Sequence, residues 1–482
     1  MYNASYIGPL RGPGRAQRAQ YTKILFHVFL HILCIFSQVT KNMEHRLKVT
    51  SHDKYFLQPI FIVMCGSTEA TSISKTLYIH NICYDITEFI KLHPGGNIIL
   101  SYEGQDATLV YEEMHRRSKK AYHVLRSLPT VQSFPSNSSS TLNDPMIDDF
   151  RDWRISLEER GFFKPSPSHA VYRLLELAGI FGLATFFMSQ TSSSSWYTII
   201  AILLYGLFGG RCGWVQHEAG HRSFTGDIYT DILIQKATIG FGLLTSGPMW
   251  NHMHNRHHAT TQKLGYDMDL DTMPFVLFNS HAYSPQKLLS STWLKYQAYT
   301  FLPITSGIFV MLFWIFYLHP RKIWLDKDGL QAGYTYIGGH IIRPFIISYV
   351  SGYGFITSYG LNLAALYVSG IYLFGHFSTS HTFMPVVDSN DHPNWIEYSL
   401  DHTVDIDTQN PIVCWLMGYL NCQCIHHLFP QMPQYRQPEV SRELAVFAKK
   451  WNLSYTELSY WDAWYKTFAN LHQVGSQLDF DP

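Results

Sequence analysis

At 482 residues the chain is longer than one compact domain usually holds, so two or three units are expected. Its 36 basic and 36 acidic side chains cancel, which excludes a global field for nucleic acid or an anionic surface. Charged residues make up only 15% of the chain and aromatic residues another 15%, a balance that argues against an entirely soluble protein.

The first segment, residues 1–66, fits the rest poorly. Arg11, Arg15 and Arg18 precede an apolar run from Ile24 to Ser37, which is shorter than the ~20 residues that span a bilayer. Three readings stay open for it: an extension ahead of a start at Met43 or Met64, an interfacial anchor, or a signal segment. Residues 67–132 have the composition of a small soluble domain, with a β-like run at Thr76 to Ile79 and Gly-containing turns. Residues 133–165 are expected to be a linker because they open with the Ser/Asn-rich stretch SFPSNSSSTLNDP, too poor in apolar residues to pack.

Within the small domain His93-Pro94-Gly95-Gly96 is followed 22 residues later by His115. An electron-carrying haem needs two axial imidazoles from opposite walls of an apolar slot, and HPGG supplies one on a tight turn. HPGG alone could be an ordinary loop. With YDITEFIKLHPGG, GQDAT (Gly104 to Thr108) and the distance to His115, about 60 residues resemble the cytochrome b5 family. The resemblance implies a small α+β fold holding haem b between His93 and His115. His80 and His123 read as surface residues.

Residues 166–470 form the apolar unit, followed by a tail, 471–482. Val171 to Met188 and Trp196 to Trp214, joined by QTSSSS, read as a hairpin of two membrane spans. Three more candidates follow: Tyr299 to Leu318, Tyr334 to Val350 and Ile356 to Phe374. The first ends in the basic run HPRK (His319 to Lys322), and the second contains Arg343 and Pro344. Glu439 to Trp451 reads as an amphipathic helix.

The chain has 25 histidines, and three clusters of them stand out. They are His217-Glu-Ala-Gly-His221, His254-Asn-Arg-His257-His258 and Gln423-Cys-Ile-His426-His427. Residues at i, i+3 and i+4 share one helix face, so each box offers its imidazoles in one direction. Two metal ions need about eight such donors; the boxes provide seven, and His381 in HFSTSHT is expected to be the eighth. His252, His376 and His402 read as hydrogen-bonded packing residues, and Asp267, Asp269 and Asp271 as a solvated loop or cap. The seven cysteines include no CxxC pair, which fits a reducing compartment.

In order and spacing these boxes, with WNHMHNRHHAT, DMDLDTMP, YLFGHFSTSHT and MGYLNCQCIHHLFPQMPQYRQPEVSR, resemble membrane fatty-acid desaturases of the front-end group. Gln423 in place of a box-three histidine marks that group, and a fused cytochrome b5 domain is its rule. The resemblance implies a multi-pass α-helical membrane protein of about four transmembrane helices with a cytosolic His-rich cap, plus the small haem domain. It also implies two irons, O2 as oxidant and a fatty acyl chain linked to CoA or phospholipid, desaturated at Δ5 on 20-carbon chains. NADH-cytochrome b5 reductase is the expected electron source, since no GxGxxG context serves a nicotinamide here. The endoplasmic reticulum membrane is the expected location.

If haem domain and boxes share the cytosolic side, an even number of spans separates boxes two and three, and Tyr299 to Leu318 is expected not to cross. Gln423 is expected to hold a neighbouring histidine or an iron-bound water. Δ6 or Δ4 acyl or Δ8 sphingolipid desaturation, hydroxylation and a non-enzymatic haem protein are the competing readings.

Overall fold

The computed structural model describes residues 74–131, 144–270, 272, 275–283, 291–320, 329–388, 391 and 394–478. Residues 1–66, Asp271, Arg321 and Lys322 therefore lie outside the described residues.

The haem-domain stretch forms the hairpin β1 (Thr76–Ile79) and β2 (Ile82–Asp85), antiparallel with Thr76 opposite Asp85. His80 and Asn81, both left-handed, make its turn. Helices α1 (Thr108–His115) and α2 (Lys119–Ser127) follow. Part of the stretch expected to be linker is instead helix α3 (Pro145–Glu159), capped by Asp144 with Pro145 at its start. The reason is its apolar stripe: Met146, Ile147, Phe150 and Leu157 are buried, and Phe150 stacks on Phe429 at 5.5 Å. Glu113 of α1 is buried between Arg116, at 3.0 Å, and Arg154 of α3, which ties the haem domain to this helix.

Helices α4 (Pro167–Ser189) and α5 (Ser195–Gly220) form the expected hairpin. Val171, Leu175, Leu183 and Phe186 of α4 face outward, as a lipid-facing helix requires. In α5 the run Gly206, Gly209, Gly210, Gly213 has a packing cause. A Cβ at any of them would collide with Val368, Ser369, Tyr372 or Leu373.

After box one, α6 (Ile228–Leu243) turns back along α5, and α7 (Gly247–Ala259) returns carrying box two. Their turn passes through Leu244, left-handed at φ 56°. It lies among apolar helices, so its backbone groups need internal partners. Arg343 donates to the carbonyls of Phe241 (3.2 Å) and Gly242 (2.7 Å), and the Ser246 N–H donates to His319 Nε2 at 2.5 Å. The buried arginine thus caps a helix end inside the bundle. Arg343→Met is expected to lower stability by about 2–4 kcal/mol through the unpaired carbonyls. Thermal unfolding in detergent checks this; an unchanged Tm would show that another group caps α6.

Helix α8 (Gln297–Leu318) is π-helical over Phe301–Val310 and Trp314–Leu318 and runs antiparallel to α10 (Phe355–Ser378). Between them in the chain lies α9 (Gly329–Ser351), which holds Arg343 and Pro344. Among the described residues four helices are long and apolar enough to cross a membrane: α4, α5, α8 and α10. The count matches expectation, but Tyr299 to Leu318, expected not to cross, lies in one of the four. Its hydropathy decides this, and His319 is buried against Ser246 rather than interfacial.

Helix α11 (Gln423–Leu428) carries box three, and α12 (Gln437–Trp451) buries Val440, Leu444, Phe447 and Ala448, the amphipathic stripe expected. Helix α13 (Tyr460–Gln477) continues into the stretch expected to be a tail, with Leu471 and Val474 buried.

Candidate metal and haem sites

Box one ends α5, box two ends α7 and box three forms α11, so three helix ends converge. They bring all eight expected histidines together in two adjoining groups, one of His217, His221, His254, His258 and His426, the other of His257, His381 and His427. The Nε2 atoms of His221 and His254, and of His254 and His258, lie 3.0 Å apart. Two nitrogens bound to one ion at about 2 Å sit roughly that far from each other.

The far side of several rings is anchored. His217 Nδ1 meets the Gln434 amide at 2.7 Å, His427 Nδ1 the Thr261 hydroxyl at 3.1 Å, and His381 Nδ1 the His402 carbonyl at 3.2 Å. Nε2 of His217, His426 and His427 has no hydrogen-bond partner though buried. A metal ion satisfies such nitrogens, so the donor set fits one. Burial lowers the pKa of His221 and His381 to about 3 and drives His254, His258, His426 and His427 well down, which leaves neutral imidazoles with free lone pairs.

His257 differs. Burial works against its charge, but the carboxylates of Asp267 and Asp269 outweigh burial and raise it to about 9. Asp267, expected in a solvated loop, is 3% exposed and accepts from His257 Nδ1 at 3.0 Å. Its signal was the acidic run that begins ten residues after His257. With Nδ1–H held on Asp267, Nε2 is turned to the second group. Asp267→Ala is expected to cut metal affinity 10–100-fold; metal titration of metal-stripped protein measures it. Gln434 and Thr261, also missed, have no local signature.

Gln423 Nε2 lies 3.1 Å from His381 Nε2, and its Oε1 is buried without a partner. His376 stands apart, its two nitrogens satisfied by the Tyr372 carbonyl and the Tyr460 hydroxyl, and the His402 ring is bonded to the Pro385 carbonyl.

His93 and His115 face each other with ring centres 6.3 Å apart. An ion held between two imidazoles by bonds of about 2 Å sets their centres roughly 6 Å apart. His93 Nδ1 is held by the Gly96 carbonyl at 3.3 Å and His115 Nδ1 by that of Tyr111 at 3.0 Å, so Nε2 is left inward on both. A Cβ at Gly95 would come within 2.9 Å of the His93 ring, which explains glycine there. Burial lowers both pKa values. The haem domain rests on α7: the Tyr102 hydroxyl donates to the Ala259 carbonyl at 2.8 Å and Arg256 reaches Asn97 at 3.2 Å.

A cavity of about 550 Å³ has His254, His257, His381 and Gln423 in its wall. Its walls are mostly apolar and aromatic, including Trp250, Phe275, Phe301, Trp314, Phe374 and Phe377. Such a volume and lining suit a long apolar ligand.

Fold and site together define a membrane-embedded redox enzyme with a fused haem-type electron carrier. Residues 194–459 match the fatty acid desaturase family, and residues 69–143 match the cytochrome b5-like heme/steroid binding domain. An acyl-lipid (8-3)-desaturase of Thraustochytrium sp. is 39% identical over 418 residues, covering 84% of this chain and 94% of that protein. The protein of the same name from Rebecca salina is 39% identical, with 83% and 91% covered. A Delta(8)-fatty-acid desaturase 2 of Arabidopsis thaliana is 26% identical, with 82% and 88% covered. The chain belongs to the fatty acid desaturase family, in its front-end group with an N-terminal cytochrome b5 domain.

Proposed function

We propose that the protein inserts a cis double bond between an existing double bond and the carboxyl end of a polyunsaturated acyl chain, at Δ5 of 20-carbon substrates carried on CoA or phospholipid. Two irons are held by His217, His221, His254, His258 and His426 on one side and His257, His381 and His427 on the other. Haem b is held by His93 and His115. The observation that carries this reading is eight imidazoles gathered in two adjoining groups, three of them (His254, His257 and His381) lining a mostly apolar cavity. Taking hydrogen from an unactivated methylene exceeds any side chain, and the iron pair supplies that oxidising power with O2.

The chain's own residues do the rest. The cavity wall excludes water and aligns the acyl chain against the ligand rings. Asp267, Gln434, Thr261 and the His402 carbonyl hold those rings in orientation. The contacts of Tyr102 and Arg256 seat the haem domain on the helix that carries box two, which shortens the route for single electrons. NADH-cytochrome b5 reductase is the proposed source of those electrons. Haem domain and boxes then face the cytosol from the endoplasmic reticulum membrane.

Expression in yeast fed separately with 18-, 20- and 22-carbon polyunsaturated acids, with mapping of the new double bond, tests the assignment. A new Δ5 bond in 20-carbon chains alone is expected. A bond at Δ6, Δ4 or Δ8 would replace the regiochemistry, and oxygen retained in the product would replace the reaction class.

A further inference from the structure

Helix α7 is used on two faces. His254, His257 and His258 belong to the metal groups, whereas His252, Arg256 and Ala259 meet the haem domain. A Cβ on Gly96 of the HPGG turn would lie 4.0 Å from the His252 ring, Arg256 donates to Asn97 Oδ1 at 3.2 Å, and the Tyr102 hydroxyl donates to the Ala259 carbonyl at 2.8 Å. Positions i, i+4 and i+7 form one stripe of a helix, and at roughly 100° per residue that stripe lies opposite 254, 257 and 258. At this place the haem domain and the metal groups are separated by one helix, roughly 10–12 Å across with its side chains. The segment carrying His115 is tied down as well. At the end of α1, Gln431 donates to the Met114 carbonyl at 3.1 Å and accepts from the Arg117 N–H at 3.2 Å, and Arg117 also reaches the Phe163 carbonyl at 2.9 Å. Gln431 stands four residues beyond His427. The turn with His93 is thus hooked to the helix of box two, and the helix with His115 to the segment after box three.

We propose that the haem domain passes electrons while docked, across α7, and that the Tyr102–Ala259 hydrogen bond is the contact that couples the two units. This rests on the reading of the two donor sets as a haem and an iron centre. Tyr102 ends the helical segment Gly96–Tyr102 that starts at the HPGG turn, and Ala259 is joined to His258 by one peptide bond. A single hydrogen bond therefore completes an otherwise covalent link between the turn of His93 and a metal histidine. The alternatives are longer. The Asn97 contact reaches α7 only through the whole Arg256 side chain, and Gln431 is four residues from His427. Each passage carries one electron, so that one haem iron is oxidised from ferrous to ferric for each centre iron reduced from ferric to ferrous. The Tyr102 phenol keeps its proton and is not itself oxidised. It is a positioning residue and ligates neither group.

The test needs neither substrate nor O2. Full-length protein loaded with haem and ferric iron is held in detergent without air, and a photoreduced flavin generated by a flash reduces the haem. The decay of the ferrous-haem absorbance that follows reads the passage to the iron centre, with haem and iron contents measured in parallel. In the wild type this decay is expected to be first-order and independent of protein concentration. Tyr102→Phe, which keeps the ring and loses only the hydroxyl, is expected to slow it roughly fivefold, the size of one hydrogen bond's hold on the closed contact. Asn97→Ala, which removes a docking contact outside the short link, is expected to stay near the wild-type rate. An unchanged decay in Tyr102→Phe, or equal slowing in both variants, would overturn the coupling role of the Tyr102 hydroxyl. A wild-type rate that rises with protein concentration would overturn transfer in the docked state. A wild-type decay no faster than that of iron-stripped protein would instead overturn the reading of the metal centre beneath the inference.

Discussion

Alanine at any one of His217, His221, His254, His257, His258, His426 or His427 is expected to lower desaturation by more than about a hundredfold, since even residues that merely orient a metal ligand typically cost 10–100-fold. The structure sharpens this at His381 and Gln423, which touch at 3.1 Å through their side-chain nitrogens. His381 is one of only three imidazoles in its group, so His381→Ala is expected to lose iron along with activity. Gln423 carries a weakly ligating amide, and Gln423→Ala is expected to cut turnover strongly while most iron stays. Metal analysis beside product formation separates the two. Equal iron loss in both variants would make Gln423 a ligand in its own right, and a fully active Gln423→Ala would leave it no role. His376→Ala serves as the control, because its nitrogens are spent on Tyr372 and Tyr460.

The second large effect concerns the haem pair. His93→Ala or His115→Ala is expected to abolish the bis-imidazole absorbance, and reductase-driven desaturation with it, while iron in the membrane unit is retained. The two donor sets sit on separate elements, the HPGG turn and α1 on one hand and α5, α7 and α11 on the other. A single axial imidazole cannot keep both faces of the haem iron filled. Absorbance spectra of the reduced protein and iron analysis measure the two losses independently. A variant that kept both the spectrum and the activity would remove that histidine from the ligand pair.

Much of this was legible beforehand because it is local. Boxes with i, i+3 and i+4 spacing declare which imidazoles share a helix face, HPGG declares a tight turn, and apolar runs declare α4, α5 and α10. The basic HPRK run misled at the end of α8, where it suggested an interface although the segment is the most apolar of the four and His319 is buried on Ser246. α3 was hidden behind a Ser/Asn-rich stretch, and its apolar stripe acquires meaning only against Phe429 and Phe447.

What the sequence by itself determined, then, is the candidate donor inventory: eight histidines proposed for metal and two proposed for haem. Tertiary structure alone decided their partition. His254 and His258 point into one group, while His257, from the same box, turns to the other and meets His381 and His427 from distant elements. It also decided that Asp267 leaves the solvent to hold His257, and that Arg343 ends α6 inside the bundle. The physical reason is range. Helical periodicity relates residues within one turn of each other, whereas which rings meet across helix ends, and which charge satisfies which orphaned backbone group, depends on packing between segments tens to hundreds of residues apart.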